Sequence, residues 1–115
     1  MNLMNFDVIA FAAAVREIVC AVPAGKVTTY GDVAALAGYP DHARMAGRIL
    51  ASFGMDSFVP CHRVVSAAGR TAPHWHSQSA LLRQEGVGFL PSGRVDMNRY
   101  RWKPDYELLL SNNNF

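Results

Sequence analysis

Charge and cysteine are both scarce in this chain. Of its 115 residues only 17% are charged, against 50% hydrophobic. That balance excludes a solvated, disordered chain and leaves enough apolar material for a buried core. A net charge of +2 is too mild to demand a nucleic-acid partner, so any basic footprint has to be local. Two cysteines, Cys20 and Cys61, make no disulfide framework and read as free thiols of a reducing compartment. The longest apolar run, around Val8 to Val15, falls far short of the ~20 residues that cross a bilayer. The first residues lack the basic stretch of a signal peptide. Together these absences predict a cytoplasmic protein with no membrane partner. There is no internal repeat, and the length suits one compact domain, residues 1–115.

What the chain does hold is the stretch Val59-Pro60-Cys61-His62-Arg63-Val64-Val65. A thiol stands directly beside an imidazole. The thiolate is the reactive form of cysteine, and a neighbouring base or cation favours it. Pro60 breaks any helix entering from the N-terminal side, and the valines after Arg63 suit a short strand. The chemistry-capable side chains therefore fall at the mouth of a turn, residues 59–65. The alternative is that Cys61 is a small buried hydrophobe, as most free cysteines are.

Around that turn the pattern is helical. Phe6, Ile9, Ala13 and Val15 to Val19 recur at helical spacing and predict a helix from Asp7, its N-cap, to Ala21, with Pro23 as the stop. Cys20 lies in the last turn and reads as core. Val27 to Tyr30 begins extended; Thr29 then caps a short helix over 31–37. Asp41 caps a second helix that runs to about Phe53. Two short helices joined by a glycine-containing turn, about 29–53, form a helix-turn-helix pattern. On the second helix Ala43, Ala46 and Gly47 are small, while Arg44 and Arg48 share one face. Small residues let a backbone approach a surface closely, and the arginines offer phosphate contacts or a probe into a groove. They are equally compatible with a solvated pair beside a tight helix contact. Ser77 caps a last helix, 78–85, which Gly86 ends. Phe89 to Val95 reads as a small hairpin or wing. A basic-aromatic tail, 95–104, either stacks on bases or pins the C-terminus to the core. Asn112 to Asn114 reads as a frayed polar end.

Several of these stretches resemble the DNA-binding domain of the O6-alkylguanine-DNA alkyltransferases, and most closely their small relatives, the alkyltransferase-like proteins. Lys26 to Ala34 with Leu36-Ala37-Gly38 resembles the first half of that family's helix-turn-helix. Ala43-Arg44-Met45-Ala46-Gly47 resembles its recognition helix, and Pro60 to Val65 its active-site motif. Leu82 to Val87 resembles the segment with the family's buried glutamate, and Val95 to Trp102 resembles the tail of the alkyltransferase-like proteins. The resemblance covers nearly the whole chain. It implies a mainly α fold, a small winged helix-turn-helix-like domain with a short β-hairpin.

The resemblance also implies roles. The partner would be double-stranded DNA containing O6-alkylguanine, bound through the minor groove without cofactor; a monomer is the default for one base flipped at a time. Arg44 would fill the gap left by a flipped nucleotide and Tyr30 would press on the adjoining phosphate, with Thr29, Ala43, Gly47 and Arg48 on the same DNA-binding face. The guanine would swing into a pocket beside Cys61, since O6 is closed to a thiolate while the base is stacked. Cys61 would accept the alkyl group, His62 would withdraw the thiol proton through a water, and Glu85 would orient His62.

Two departures stand out. Thr71 to Ser77 replaces, in a shorter connection, the family's guanine-lining segment and lysine; Phe53-Gly54 stands where the family has an asparagine. Yet Cys61 is kept, where alkyltransferase-like proteins usually carry tryptophan or alanine. The altered loop could shape a wider lesion pocket from Pro60, Arg63, Arg70 and Trp75, with Trp75 as a stacking wall and Arg70 as a donor; Trp75 could also simply cap the core. Three functions compete: alkyl transfer to Cys61, lesion sensing that passes the damage to nucleotide excision repair proteins, and a regulator that reads the major groove. The small-residue helix disfavours the last. No metal is expected, because adjacent Cys61 and His62 with His74 and His76 lack zinc-site spacing.

Overall fold

The computed structural model describes residues 6–54 and 58–104. Helix α1 spans Val8–Ala21, with Asp7 as N-cap; its carboxylate accepts from the backbone N–H groups of Ile9 and Ala10. The inward face runs through Phe11, Val15 and Val19, four residues apart. Ile9 is a correction: it lies about 200° round the helix from Phe11 and is 79% exposed. Cys20 is another. It sits one residue past Val19, faces outward, and its thiol donates to the Phe58 carbonyl at 3.5 Å.

Strand β1, Thr28–Thr29, leads straight into α2, Tyr30–Leu36. Thr29 caps α2 as expected, its hydroxyl accepting from Asp32 N–H. Helix α3 covers Ala43–Ser52. Its cap is His42 and not Asp41, because Pro40 and Asp41 sit in a turn closed by His42 N–H to the Tyr39 carbonyl. The His42 ring makes no cap bond and stacks on Phe6, within a cluster that includes Phe11 and Tyr39.

A single 3-10 turn, Cys61–Arg63, follows and runs into β2, Val64–Val65. The strands β1 and β2 pair in parallel, Thr28 with Val64 and Thr29 with Val65. Adjacent strand residues point to opposite faces. Val64 therefore joins a core of α1, α2 and α3 side chains, and Val65 joins a second core with Val27, Leu82, Val87 and Val95. The Cys61 turn is anchored where these two cores meet.

Helix α4, Gln78–Gln84, packs against that turn. Ser77 precedes it but makes no side-chain cap; its hydroxyl accepts from the Trp75 indole at 3.0 Å. Gly86, at φ +89°, takes a left-handed conformation that ends the helix. The expected hairpin reduces to one antiparallel bridge, Phe89 with Val95. Val95 N–H donates instead to Gly69, and Pro91 has no N–H to offer, so no ladder extends. One further turn of helix, α5 at Met97–Tyr100, was not foreseen; four residues are too short for a periodic signal. Beyond it Arg101 bridges Val27 in parallel, so the tail is pinned beside β1. A bidentate Arg101–Asp32 pair adds to that attachment. The expected frayed end at Asn112 to Asn114 lies outside the described residues. Among the described residues no helix is long and apolar enough to cross a membrane.

Candidate functional site

The site forms where the helix-turn-helix meets the Cys61 turn. Cys61 is half-buried, and its thiol donates to the Leu50 carbonyl in the last turn of α3 at 3.8 Å. Beside it His62 Nε2 lies 3.0 Å from Glu85 Oε2. Glu85 caps the far end of α4, so the helix sets the distance of the carboxylate from the turn.

Arg63 grips the same carboxylate as a fork. Its Nε donates to Oε1 at 3.0 Å and its Nη2 to Oε2 at 2.6 Å, while Nη1 donates to the Val22 carbonyl at 2.8 Å. Arg63 is the main reason that the Glu85 carboxyl is held at about 2; burial pushes the other way, and His62 adds to the lowering. Glu85 is thus an anion over the whole physiological range. An ionised carboxylate only accepts, so His62 Nε2 must carry the hydrogen. In the neutral ring Nδ1 is then the basic nitrogen.

A cavity of about 150 Å³ opens beside Cys61. It is lined by Tyr30, Gly47, Leu50, Ala51, Cys61, Ala72 and Trp75. Trp75 stands edge-on to His62, ring centres 6.4 Å apart. A shallower groove shares the Tyr30 and Gly47 wall and continues over Gly31, Ala43, Arg44, Ser66 and Ala67. Gly47 leaves the Tyr30 ring accessible to both hollows. Burial raises the Tyr30 phenol above its ordinary value, and nearby Cys61 pushes the same way. Tyr30 is therefore a hydroxyl donor at neutral pH.

Of the residues singled out in the sequence, Tyr30, Gly47, Cys61 and Trp75 come together in the cavity, and Ala43 and Arg44 line the outer groove. Arg44 and Arg48 are exposed on α3. Thr29 is buried as the α2 cap. Pro60, Arg63 and Arg70 are not part of the cavity lining. Pro60 carries the entry to the turn, Arg63 faces Glu85, and Arg70 is exposed beyond β2 on a turn closed by Ser66. His74 and His76 are exposed. Among the described residues no three His, Cys, Asp or Glu side chains gather as metal ligands.

Sequence reasoning missed Gln78 and Ala72. Gln78 is only 1% exposed. Its Oε1 accepts from Ala72 N–H at 2.7 Å, and its Nε2 donates to the carbonyls of His62 at 2.9 Å and Val64 at 3.0 Å. The available signal was its place four residues before the core residue Leu82, on the same helix face.

Fold and site together define a small helix-turn-helix domain with a cysteine–histidine–glutamate centre behind its second helix. The chain belongs to the family described as 6-O-methylguanine DNA methyltransferase, DNA binding domain, which it matches over residues 10–87. It is 46% identical over 96 residues to the DNA base-flipping protein of Escherichia coli strain K12, covering 81% of this chain and 74% of that protein. It is 40% identical over 80 residues to the methylated-DNA–protein-cysteine methyltransferase of Methanopyrus kandleri, covering 70% of this chain and 60% of that one. Its fold is similar to that of S. pombe Atl1 in complex with damaged DNA containing O6-carboxymethylguanine. There the TM-score is 0.77 at 30% identity, over 86% of this chain and 100% of the other.

Proposed function

We propose that this chain is a DNA repair protein that binds duplex DNA from the minor groove and flips O6-alkylguanine into the cavity beside Cys61. One observation carries the reading: a single cavity is lined both by the helix-turn-helix, through Tyr30 and Gly47, and by the Cys61 turn with Trp75. A base displaced past α3 would enter a cavity that the thiol borders. Arg44, exposed on the outer groove, fills the vacated stack. Ala43 and Gly47 let α3 approach the backbone, Tyr30 donates to a phosphate, and Arg48 and the Thr29 cap support that face. Trp75 stacks on the base, while Pro60 and Arg63 shape the pocket from behind, Arg63 through Glu85. The name of the E. coli relative and the lesion in the S. pombe complex support this reading. The protein works as a monomer, since one base is flipped at a time, and its free thiols suit the cytoplasm. The test is fluorescence anisotropy with two duplexes that differ only in O6-methylguanine or guanine at one position. Tighter binding of the first is expected; equal affinity would refute the proposal.

A second reading extends the first: Cys61 accepts the alkyl group. The hydrogen bond from His62 to an ionised Glu85 favours it, because it leaves Nδ1 basic. His62 takes the thiol proton, through a water, and sulfur attacks the alkyl carbon. As the S–C bond forms the C–O bond breaks, its electron pair stays on guanine, and the proton ends there. Intact-protein mass after incubation with the O6-methylguanine duplex should rise by one methyl group, and not in Cys61→Ala. No rise, with lesion binding retained, favours the sensor reading, in which the lesion is handed to nucleotide excision repair proteins.

A further inference from the structure

Helix α4 holds the Cys61 turn at two points. Gln78 and Glu85 are seven residues apart, about two helical turns, so they lie on one face with Leu82 between them. Glu85 takes the side chains of His62 and Arg63. Gln78 takes the backbone: the carbonyl of His62, the carbonyl of Val64 and, from the opposite side, the N–H of Ala72. The orientation of its amide is unambiguous, because only Oε1 can face an N–H and only Nε2 can face two carbonyls.

Ala72 lines the cavity together with Cys61 and Trp75. It also accepts from Trp75 N–H at 3.1 Å, so the turn that carries the indole closes on Ala72. A single buried side chain therefore spans from the thiol-bearing turn to the loop that forms the opposite wall. A buried amide or carbonyl left without a partner is unfavourable, which keeps this bridge closed. The loop over 71–77 has no regular structure of its own to fix its distance from Cys61.

We infer that Gln78 is the positioning residue that sets the width of the lesion cavity, and with it the preference for an alkylated over an unmodified guanine. Gln78 itself touches neither base nor thiol; it acts through Ala72, Trp75 and the His62 backbone. The inference rests on the proposed function, since the cavity is taken to receive the base.

The experiment compares the wild-type protein with Gln78→Met, which keeps length but removes all three hydrogen bonds, and with Gln78→Asn, which keeps the amide but is one methylene too short to reach both the turn and Ala72. Each is titrated with the O6-methylguanine duplex and with its guanine counterpart. Urea unfolding accompanies both variants, and amide hydrogen exchange at Ala72 is followed in Gln78→Met. In both variants the ratio of the two affinities should fall about tenfold, with affinity for the guanine duplex kept within about twofold. In Gln78→Met the Ala72 amide should exchange faster. An equal loss on both duplexes would mean that Gln78 only supports the fold and would overturn the inference, as would an unchanged ratio in a folded Gln78→Met. If Gln78→Met does not fold, Gln78→Asn decides by the same ratio. A wild-type protein with no lesion preference would overturn the proposed function itself, and the inference with it.

Discussion

Glu85 is the residue on which the electrostatics of the site turn. Its carboxyl titrates at about 2, whereas the ordinary value is 4.5, chiefly because Arg63 grips it. A folded-state value below the unfolded one gives stability that is complete above the unfolded value and is lost as pH falls toward the folded one. Stability should therefore drop between about pH 4.5 and 2 as Glu85 is protonated, a loss that Glu85→Gln should remove from the acid side of the profile. Urea midpoints across that range check this; an identical acid profile in the variant would contradict it. At neutral pH the same variant should be less stable by about 2 kcal/mol, because Arg63 loses its charged partner. Arg44 makes a different kind of contribution. It is exposed and contributes nothing to the core, so Arg44→Ala should leave stability within about 0.5 kcal/mol. Its affinity for the lesion duplex should fall more than that for undamaged DNA, measured by anisotropy; equal losses would reduce Arg44 to a plain phosphate contact. Both residues were legible in the sequence, Glu85 through the family resemblance and Arg44 through its small neighbours. The Arg63 fork was not, because a cation in a turn carries no mark of the carboxylate it meets 22 residues later.

Helix α3 shows what an element gives up for access. Gly47 sits mid-helix, where alanine is the more stable choice by about 1 kcal/mol. An added Cβ would meet the Tyr30 ring at 3.6 Å, an ordinary contact, so the fold has room for it. Gly47→Ala should thus raise stability by up to about 1 kcal/mol while weakening DNA binding, because the methyl group occupies the wall between cavity and groove. Urea unfolding and anisotropy on the same preparation test the two halves; a stabilised variant with undiminished binding would show that the glycine is not there for DNA. The helices themselves were readable from periodicity and caps. Phase was harder: Ile9 fits the helical spacing of α1, yet only the tertiary contacts of Phe11, Val15 and Val19 decide which face turns inward. Likewise Asp41 has the chemistry of a cap, but the turn at Pro40 delays α3 until after His42, whose ring packs on Phe6.

At the scale of the molecule, two small cores share the parallel pair β1–β2, and the Cys61 turn hangs from their junction. The parallel pairing joins residues 36 positions apart, Thr28 and Val64, and no local pattern announces it. The modest net charge of +2 means that DNA affinity has to come from a local cluster of cations. Affinity for undamaged duplex should then fall linearly on a logarithmic salt scale, by roughly one power for each phosphate contacted. A flat salt dependence would contradict a phosphate-binding face. The central claim is that the lesion leaves the stack. The most direct measurement places a fluorescent base analogue, 2-aminopurine, next to a single O6-methylguanine and follows its emission as protein is added. Flipping unstacks the neighbour, so emission should rise with the wild-type protein and much less with Tyr30→Ala or Arg44→Ala. Saturated binding with unchanged emission would mean that the duplex is bound with its bases stacked, and the account would be wrong.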